Sequence, residues 1–350
     1  MTQIDRSSVR RVLAVDVGGT NTRISLVVSE GDALRIAWKR DYRSREINGL
    51  AEPLATCVAE LSDSDKPEAI CICGAGPVHA NRCKPTNLDW SIDGVELGRT
   101  LAVPCTVIND FSAVALGIPY LEQDDRDAIH TLQHVSGASA GNPSVRLVIG
   151  AGTGLGVGYV VDDGQVRRAM ASEGGHAPFA PYDELSGRML RWLAPTEATA
   201  AGAELLVSGQ GIANWYRFFA SGAAGFGELS DAFTAAGASD DPPARVAQLA
   251  AAGDSAAHAV MVAFVKSYAR TAAAAALAFI PAGGLYLAGG IVTKNEALFT
   301  EENRFVTEFT RSYRDDMASV LHRIPVHVVR DYDVSLYGAA SVALHVAAVD

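Results

Sequence analysis

The chain reads as an α/β protein of two domains, and three observations lead there. The first is a pair of glycine-rich strand–turn–strand segments. One is Val15-Asp16-Val17-Gly18-Gly19-Thr20-Asn21-Thr22-Arg23, running into Ile24-Ser25-Leu26-Val27; the other is Gly150-Ala151-Gly152-Thr153-Gly154-Leu155-Gly156, running into Val157-Gly158-Tyr159-Val160. The second is the order of apolar patterns. Strand-like runs near 11–17, 22–29, 34–41, 68–74 and 105–109 alternate with helical segments near 48–61 and from Asp110, as in a layered α/β sheet. The third is size: 350 residues, 49% of them hydrophobic, exceed the length at which one core stops growing.

The second half restarts the pattern. Strands are expected near 145–149, 154–161 and 165–171, helices from about 183 to 280, strands at 284–288 and 324–329, and a last Ala-rich helix from 335. Both halves open with antiparallel strands around a glycine turn, which agrees with a duplicated architecture. The small, polar run 134–144 reads as a loop near a domain boundary. Glycine lets a ligand approach the main chain because no Cβ intervenes, and successive N–H groups can form a nest for phosphate oxygens. Two such turns suggest two halves closing on one nucleotide; two plain hairpins with Gly at the bends would give the same pattern.

Charge and composition remove several function classes. The net charge is −11 with no basic cluster, so neither a nucleic-acid duplex nor an anionic membrane surface is an expected partner. Arg6, Arg10 and Arg11 lead into the first strand rather than into a secretory signal. The five cysteines are Cys57, Cys71, Cys73, Cys83 and Cys105, an odd number with no paired framework. They point to free thiols in a reducing cytoplasm. Cys71-Ile72-Cys73 lies in an apolar run without a second Cys pair and reads as core. The stretch 271–293 carries no charge and is long enough to span a bilayer. Its Ala and Gly content, with Pro281, Gly283, Gly284, Gly289 and Gly290, instead gives a helix end, a turn, the strand Leu285-Tyr286-Leu287-Ala288 and a second Gly-Gly turn opening a helix.

Other nucleotide motifs fail. No G-x-x-x-x-G-K-[ST] occurs, and 150–156 has Leu155 where a dinucleotide fingerprint needs glycine and is followed by a strand-like run. No protein-kinase signature set is present.

The remaining polar residues gather in four places: Thr86-Asn87-Leu88-Asp89-Trp90, Ile108-Asn109-Asp110-Phe111, Ser172-Glu173-Gly174-Gly175-His176, and Glu204 ahead of Ser208-Gly209. Asp110, at the end of Thr106-Val107-Ile108, stands where α/β proteins place their sites; taken alone it reads rather as a helix N-cap. Glu173 and His176 form E-x-x-H, but Gly174-Gly175 argues against a metal-binding helix, and hydrogen bonds to vicinal hydroxyls fit better. Glu204 in isolation reads as an exposed helical residue.

Taken together and in this order, with Gly76-Pro77-Val78 and Leu287-Ala288-Gly289-Gly290-Ile291-Val292, these segments resemble the bacterial glucokinases of the hexokinase–actin–heat-shock-ATPase superfamily, over nearly the whole chain. The resemblance implies a two-domain actin-like (ribonuclease H-like) α/β fold with an interdomain cleft. It implies domains at 1–118 plus 334–350 and at 119–333. It implies ATP-dependent phosphorylation of the 6-hydroxyl of glucose. Asp110 would be the general base, and Asn87, Asn109, Asp110, Glu173, His176 and Glu204 would contact glucose. Asp16 would orient Mg²⁺ through water. Gly18, Gly19 and Thr20, with Gly152, Thr153 and Gly154, would hold phosphates, and Gly289 and Gly290 would pass close to adenosine. A homodimer is the family expectation.

The chain departs from the family pattern in three places: Ser172 before the glutamate, Leu205 where Arg is common, and the turn Ser335-Leu336-Tyr337-Gly338, where Gly-Leu-Leu-Gly is common. The related ROK branch carries a Cys-rich zinc motif after its Gly-Gly-His; here Ala177-Pro178-Phe179 follows, so no structural zinc is expected. The alternatives are a kinase for another hexose or amino sugar, a non-catalytic sugar sensor, and a filament-forming or chaperone ATPase of the same fold. The last leaves Glu173, His176 and Glu204 unexplained.

Overall fold

The computed structural model describes residues 9–31, 33–85, 87–121, 125, 127–132, 145–162, 167–170, 172–193 and 201–348. The segment 134–144 and Thr86 lie outside the described residues. The chain divides into two compact units, one of Met1–Ala128, Gly158–Ala171 and Asp331–Asp350, the other of Ile129–Val157 and Ser172–Arg330.

The first unit is built on β1 (Arg10–Val17), β2 (Asn21–Glu30), β3 (Ala33–Arg43), β4 (Ala69–Gly74) and β8 (Cys105–Asn109), in the order β3-β2-β1-β4-β8. β1 pairs antiparallel with β2 and parallel with β4, and β4 runs parallel to β8. Successive side chains of a strand face opposite ways. Leu13, Val15 and Val17 therefore pack under α1 (Ala51–Glu60) with Leu54 and Cys57, while Val12 and Ala14 pack on the other face with Cys71 and Cys73. Both faces are buried, as expected of a sheet with parallel strands at its centre.

The second face is covered by α3 (Asp110–Gly117) and α13 (Val334–Val346), which contributes Leu336, Ala339, Ala340 and Ala343. The two helices cross at glycines. A Cβ on Gly338 would lie 1.8 Å from the Ala113 carbonyl oxygen, and one on Gly117 1.9 Å from that of Val334. Three short strands, β5 (Val78–His79), β6 (Arg82–Cys83) and β7 (Ile92–Asp93), form a small separate sheet ahead of α2 (Gly94–Leu101).

The second sheet has the order β12-β11-β10-β13-β14-β9, from β9 (Ile129–Leu132), β10 (Val145–Ala151), β11 (Leu155–Asp162), β12 (Arg167–Met170), β13 (Leu285–Ala288) and β14 (Val326–Val329). The division between units falls within β11. β10, β13 and β14 are parallel, and β9 closes the edge antiparallel to β14. Helices α4 (Glu184–Leu193), α5 (Gly209–Ala220), α6 (Asp231–Ala235), α7 (Pro242–Ala251) and α8 (Ser255–Phe279) follow, then α9 (Gly290–Lys294), α10 (Glu296–Thr300), α11 (Arg304–Thr310) and α12 (Asp315–Leu321).

Helix α8 is long and apolar enough to cross a membrane by length and composition, yet 61% of its most apolar window is buried. It is the central helix of the second unit. Tyr268 donates from its hydroxyl to the Ile149 carbonyl at 2.8 Å, and its ring meets Phe264, Phe299 and Phe305 edge-on.

Candidate active site

In the first unit the candidate residues lie beyond the carboxyl ends of parallel strands. Val17, Gly74 and Asn109 end β1, β4 and β8 side by side in register. Sites in α/β sheets form at this edge. Asn109 turns out to be the N-cap of α3: its Oδ1 accepts from the N–H groups of Phe111 and Ser112 at 3.0 and 3.2 Å. Its Nδ2 donates to the Gly76 carbonyl at 3.2 Å. The capping role that residue type alone offered to Asp110 thus falls on its neighbour. Asp110 is the first helical residue, with Oδ1 accepting the Phe111 N–H at 2.9 Å.

Asp16 sits at the end of β1 and is held by three donors. Arg23 and the Ser335 hydroxyl, the latter at 3.0 Å, reach Oδ2, and the Cys73 thiol reaches Oδ1 at 3.5 Å. Arg23 also meets Asp333 at 3.0 Å, and Lys39 closes on Asp333 at 2.8 Å. Burial pulls the Arg23 guanidinium down, but the charge of Asp16, its hydrogen bond and Asp333 outweigh that and hold it above its ordinary value. Burial, then the charges of Asp16, Cys71 and Asp110, push the Cys73 thiol well up. Cys73 therefore stays a neutral donor in the field of both carboxylates.

The turn after β1 is closed by the Gly18 N–H on the Asn21 carbonyl at 2.9 Å. Exposed Asn87 lies against it: a Cβ on Gly19 would be 3.3 Å from the Asn87 Cβ.

In the second unit the other candidates form one neighbourhood. Gly150 and Ala288 pair where β10 and β13 end. Gly289, with φ +97°, follows; a Cβ there would lie 2.6 Å from the Ala151 carbonyl oxygen, so only glycine fits. Gly290 opens α9. In the turn after β10, the Gly152 N–H meets the Gly154 carbonyl at 2.8 Å, and the Gly152 carbonyl takes the N–H of Gly209, the first residue of α5, at 2.8 Å. Thr153 is exposed at its tip.

Glu204 stands on a 3₁₀ turn, Ala203–Leu205, and is not a free surface residue: its Oε2 accepts the Leu155 N–H at 2.8 Å. Glu173 precedes and His176 ends a second 3₁₀ turn, Gly174–His176, with His176 Nε2 and Glu173 Oε2 3.8 Å apart and both side chains exposed. The sequence reading expected no helix there; the glycines allow a single turn. That turn is tied to the Glu204 segment by the Ala203 N–H on the Ala177 carbonyl and the Phe179 N–H on the Ala201 carbonyl, both at 2.9 Å. The segments that carry Glu173, His176, Glu204 and the 152–154 turn thus adjoin one another in this unit.

Arg23 and Cys73 hold Asp16, the Ser44 hydroxyl donates to the Gly18 carbonyl, and the Trp90 indole donates to the Ser44 carbonyl. Arg23 and Trp90 lie within the quoted motifs and Cys73 reads from the sequence as core; nothing in the sequence marks Ser44.

A protein-family model described as Glucokinase matches residues 13–346. The chain belongs to the glucokinase family. A glucokinase of Trichormus variabilis is 34% identical over 342 residues, covering 94% of this chain and 97% of that protein. Among solved structures, a glucokinase from an Antarctic psychrotroph has a TM-score of 0.79 at 27% identity, covering 96% of this chain and 99% of that one. A ROK family glucokinase from Streptomyces griseus, solved with glucose and AMPPNP, shares the fold at a TM-score of 0.63 and 21% identity, covering 96% and 99%. The protein is accordingly an ATP-dependent glucose kinase of the two-domain actin-like α/β fold.

Proposed function

We propose that Asp110 is the general base that delivers the 6-hydroxyl of glucose to the γ-phosphoryl of ATP. In that step a bond forms between the sugar oxygen and the γ-phosphorus. The bond from that phosphorus to the β–γ bridging oxygen breaks, ADP leaves, and the hydroxyl proton passes to the Asp110 carboxylate. The observation that carries the reading is the position of Asp110, directly beyond β8, at the same edge of the sheet as the end of β1 that bears Asp16, with β4 between the two strands.

Glucose is held in this reading by Asn87, Asn109, Asp110, Glu173, His176 and Glu204. Fixed acceptors and donors at several hydroxyls discriminate between epimers, because a misplaced hydroxyl leaves a buried polar group unpaired. Gly18, Gly19 and Thr20, with Gly152, Thr153 and Gly154, cradle phosphates by their main chain, and Gly289 and Gly290 let adenosine approach.

Mg²⁺ bound with ATP would supply charge neutralisation on the phosphoryl oxygens. Asp16 fits a water-mediated hold on it, since three donors already occupy its carboxylate. Among the described residues no cluster of three or more His, Cys, Asp or Glu could hold a metal, which suits an ion carried mainly by substrate phosphates. The same reading has a cytoplasmic homodimer without structural zinc, checked by light scattering and metal analysis.

The test is a coupled assay of ADP release with Mg-ATP, comparing glucose with mannose, fructose, N-acetylmannosamine and no sugar. Release that depends on glucose and is weak with the others supports the reading. Equal release without sugar, or preference for another hexose, contradicts it.

A further inference from the structure

Ser44, just after β3, is wholly buried and engages every polar group it has. Its N–H donates to the Thr20 carbonyl at 3.0 Å and its hydroxyl donates to the Gly18 carbonyl at 2.6 Å. The same oxygen lies 3.0 Å from buried Thr22 Oγ1, which donates to it. Its carbonyl accepts the indole N–H of Trp90 at 3.1 Å. Two of these bonds go to the turn 18–20. The last goes to the loop that carries Asn87, whose side chain rests against Gly19.

A trans peptide points its C=O and the following N–H in opposite directions. A Gly18 carbonyl fixed on Ser44 therefore fixes the Gly19 N–H pointing away from it. Glycine resists such fixing on its own, because it populates more backbone conformations than other residues. A turn that must present N–H groups to phosphate gains affinity when that choice is made before binding.

We propose that Ser44 is a positioning residue that locks the 18–20 turn and, through Trp90, the Asn87 loop into one preformed surface for nucleotide and sugar. This rests on the assignment of the turn to phosphate and of Asn87 to glucose.

Full-length Ser44→Ala, Trp90→Phe, Asn87→Ala, Thr22→Val and the double Ser44→Ala/Thr22→Val are compared by melting temperature, glucose calorimetry, and kcat and KM. Ser44→Ala leaves the Thr22 hydroxyl and Gly18 carbonyl unpaired, and is expected to raise the KM for ATP about tenfold. Trp90→Phe is expected to weaken glucose binding about fivefold with kcat near that of the parent. In the double variant the orphaned Thr22 hydroxyl is gone, so melting temperature should recover towards that of Thr22→Val while the KM for ATP stays high.

A KM that recovers together with melting temperature would mean a purely structural role and overturn the proposal. Should Ser44→Ala fail to fold, Trp90→Phe and the double variant still decide. Asn87→Ala separates the two layers. If it weakens glucose but neither Ser44→Ala nor Trp90→Phe moves an affinity, the positioning role fails alone; if it leaves glucose binding intact, the loop assignment fails and takes the proposal with it.

Discussion

Glu204 Oε2 accepts the main-chain N–H of Leu155 at 2.8 Å, which ties a carboxylate assigned to glucose to the glycine turn assigned to phosphate. The contact is close on both sides: a Cβ on Gly154 would lie 2.5 Å from the same oxygen. One side chain thus faces two tasks, and substitutions can separate them.

Glu204→Gln keeps an amide oxygen that can accept the Leu155 N–H but removes the charge offered to the sugar. Glu204→Ala removes both. Hydrogen bonds to charged groups contribute about 1.5–3 kcal/mol, so the glucose KM should rise roughly tenfold or more in each variant. The KM for ATP should rise only in Glu204→Ala. Steady-state kinetics with each substrate varied checks this; equal effects on the KM for ATP in both variants would count against it.

Gly289→Ala should destabilise the second unit and weaken nucleotide binding. The positive φ and the 2.6 Å approach to the Ala151 carbonyl act together there, and the backbone strain alone is worth about 1–3 kcal/mol. Gly152→Ala is the control, because a Cβ at Gly152 meets nothing within 4 Å. Thermal melts of the two should differ by several degrees, with Gly152→Ala near the parent.

The buried thiols set an alkaline limit on stability. Burial raises Cys71 and Cys73 far up; burial and then the charge of Asp110 push Cys83 up to about 11; burial pushes Cys105 up to about 12. Each folded value lies above the ordinary 9.0, so the unfolded chain releases these protons first. The stabilisation is full below pH 9.0 and is lost as pH rises through the folded values. Urea midpoints should fall steadily above pH 9.0. Mass-spectrometric mapping of thiol labelling at neutral pH should find the buried Cys71, Cys73 and Cys83 slow in the native protein and fast in denaturant.

Most strands of the two large sheets were readable from the sequence because they alternate or run apolar, β13 and β14 over only four residues each. β8 came out with its bounds intact, at Cys105–Asn109. Elements that depend on distant partners were not. β9 is an edge strand whose pairing with β14 nothing local announces, and the two-residue strands β5 to β7 are too short for any period.

Helix α2 escaped because glycines at both 94 and 98 lower its propensity. A capping box would have found it: Asp93 accepts from the N–H groups of Val95 and Glu96, with Glu96 at the third helical position.

Within the candidate site, the glycines and carboxylates were readable as types, while the groups that orient them were not. Ser335, noted only as a departure from the family pattern, donates to Asp16 and accepts from Arg23 at 3.1 Å. Its hydroxyl has a use at that position which a glycine lacks.

The most direct measurement is the turnover of Asp110→Asn beside its glucose affinity. The amide keeps the shape and the Phe111 contact but cannot take the proton. The expected result is a kcat lower by ~10²–10⁴-fold with glucose binding by calorimetry within a few-fold of the parent. Near-normal turnover in that variant would contradict Asp110 as the base.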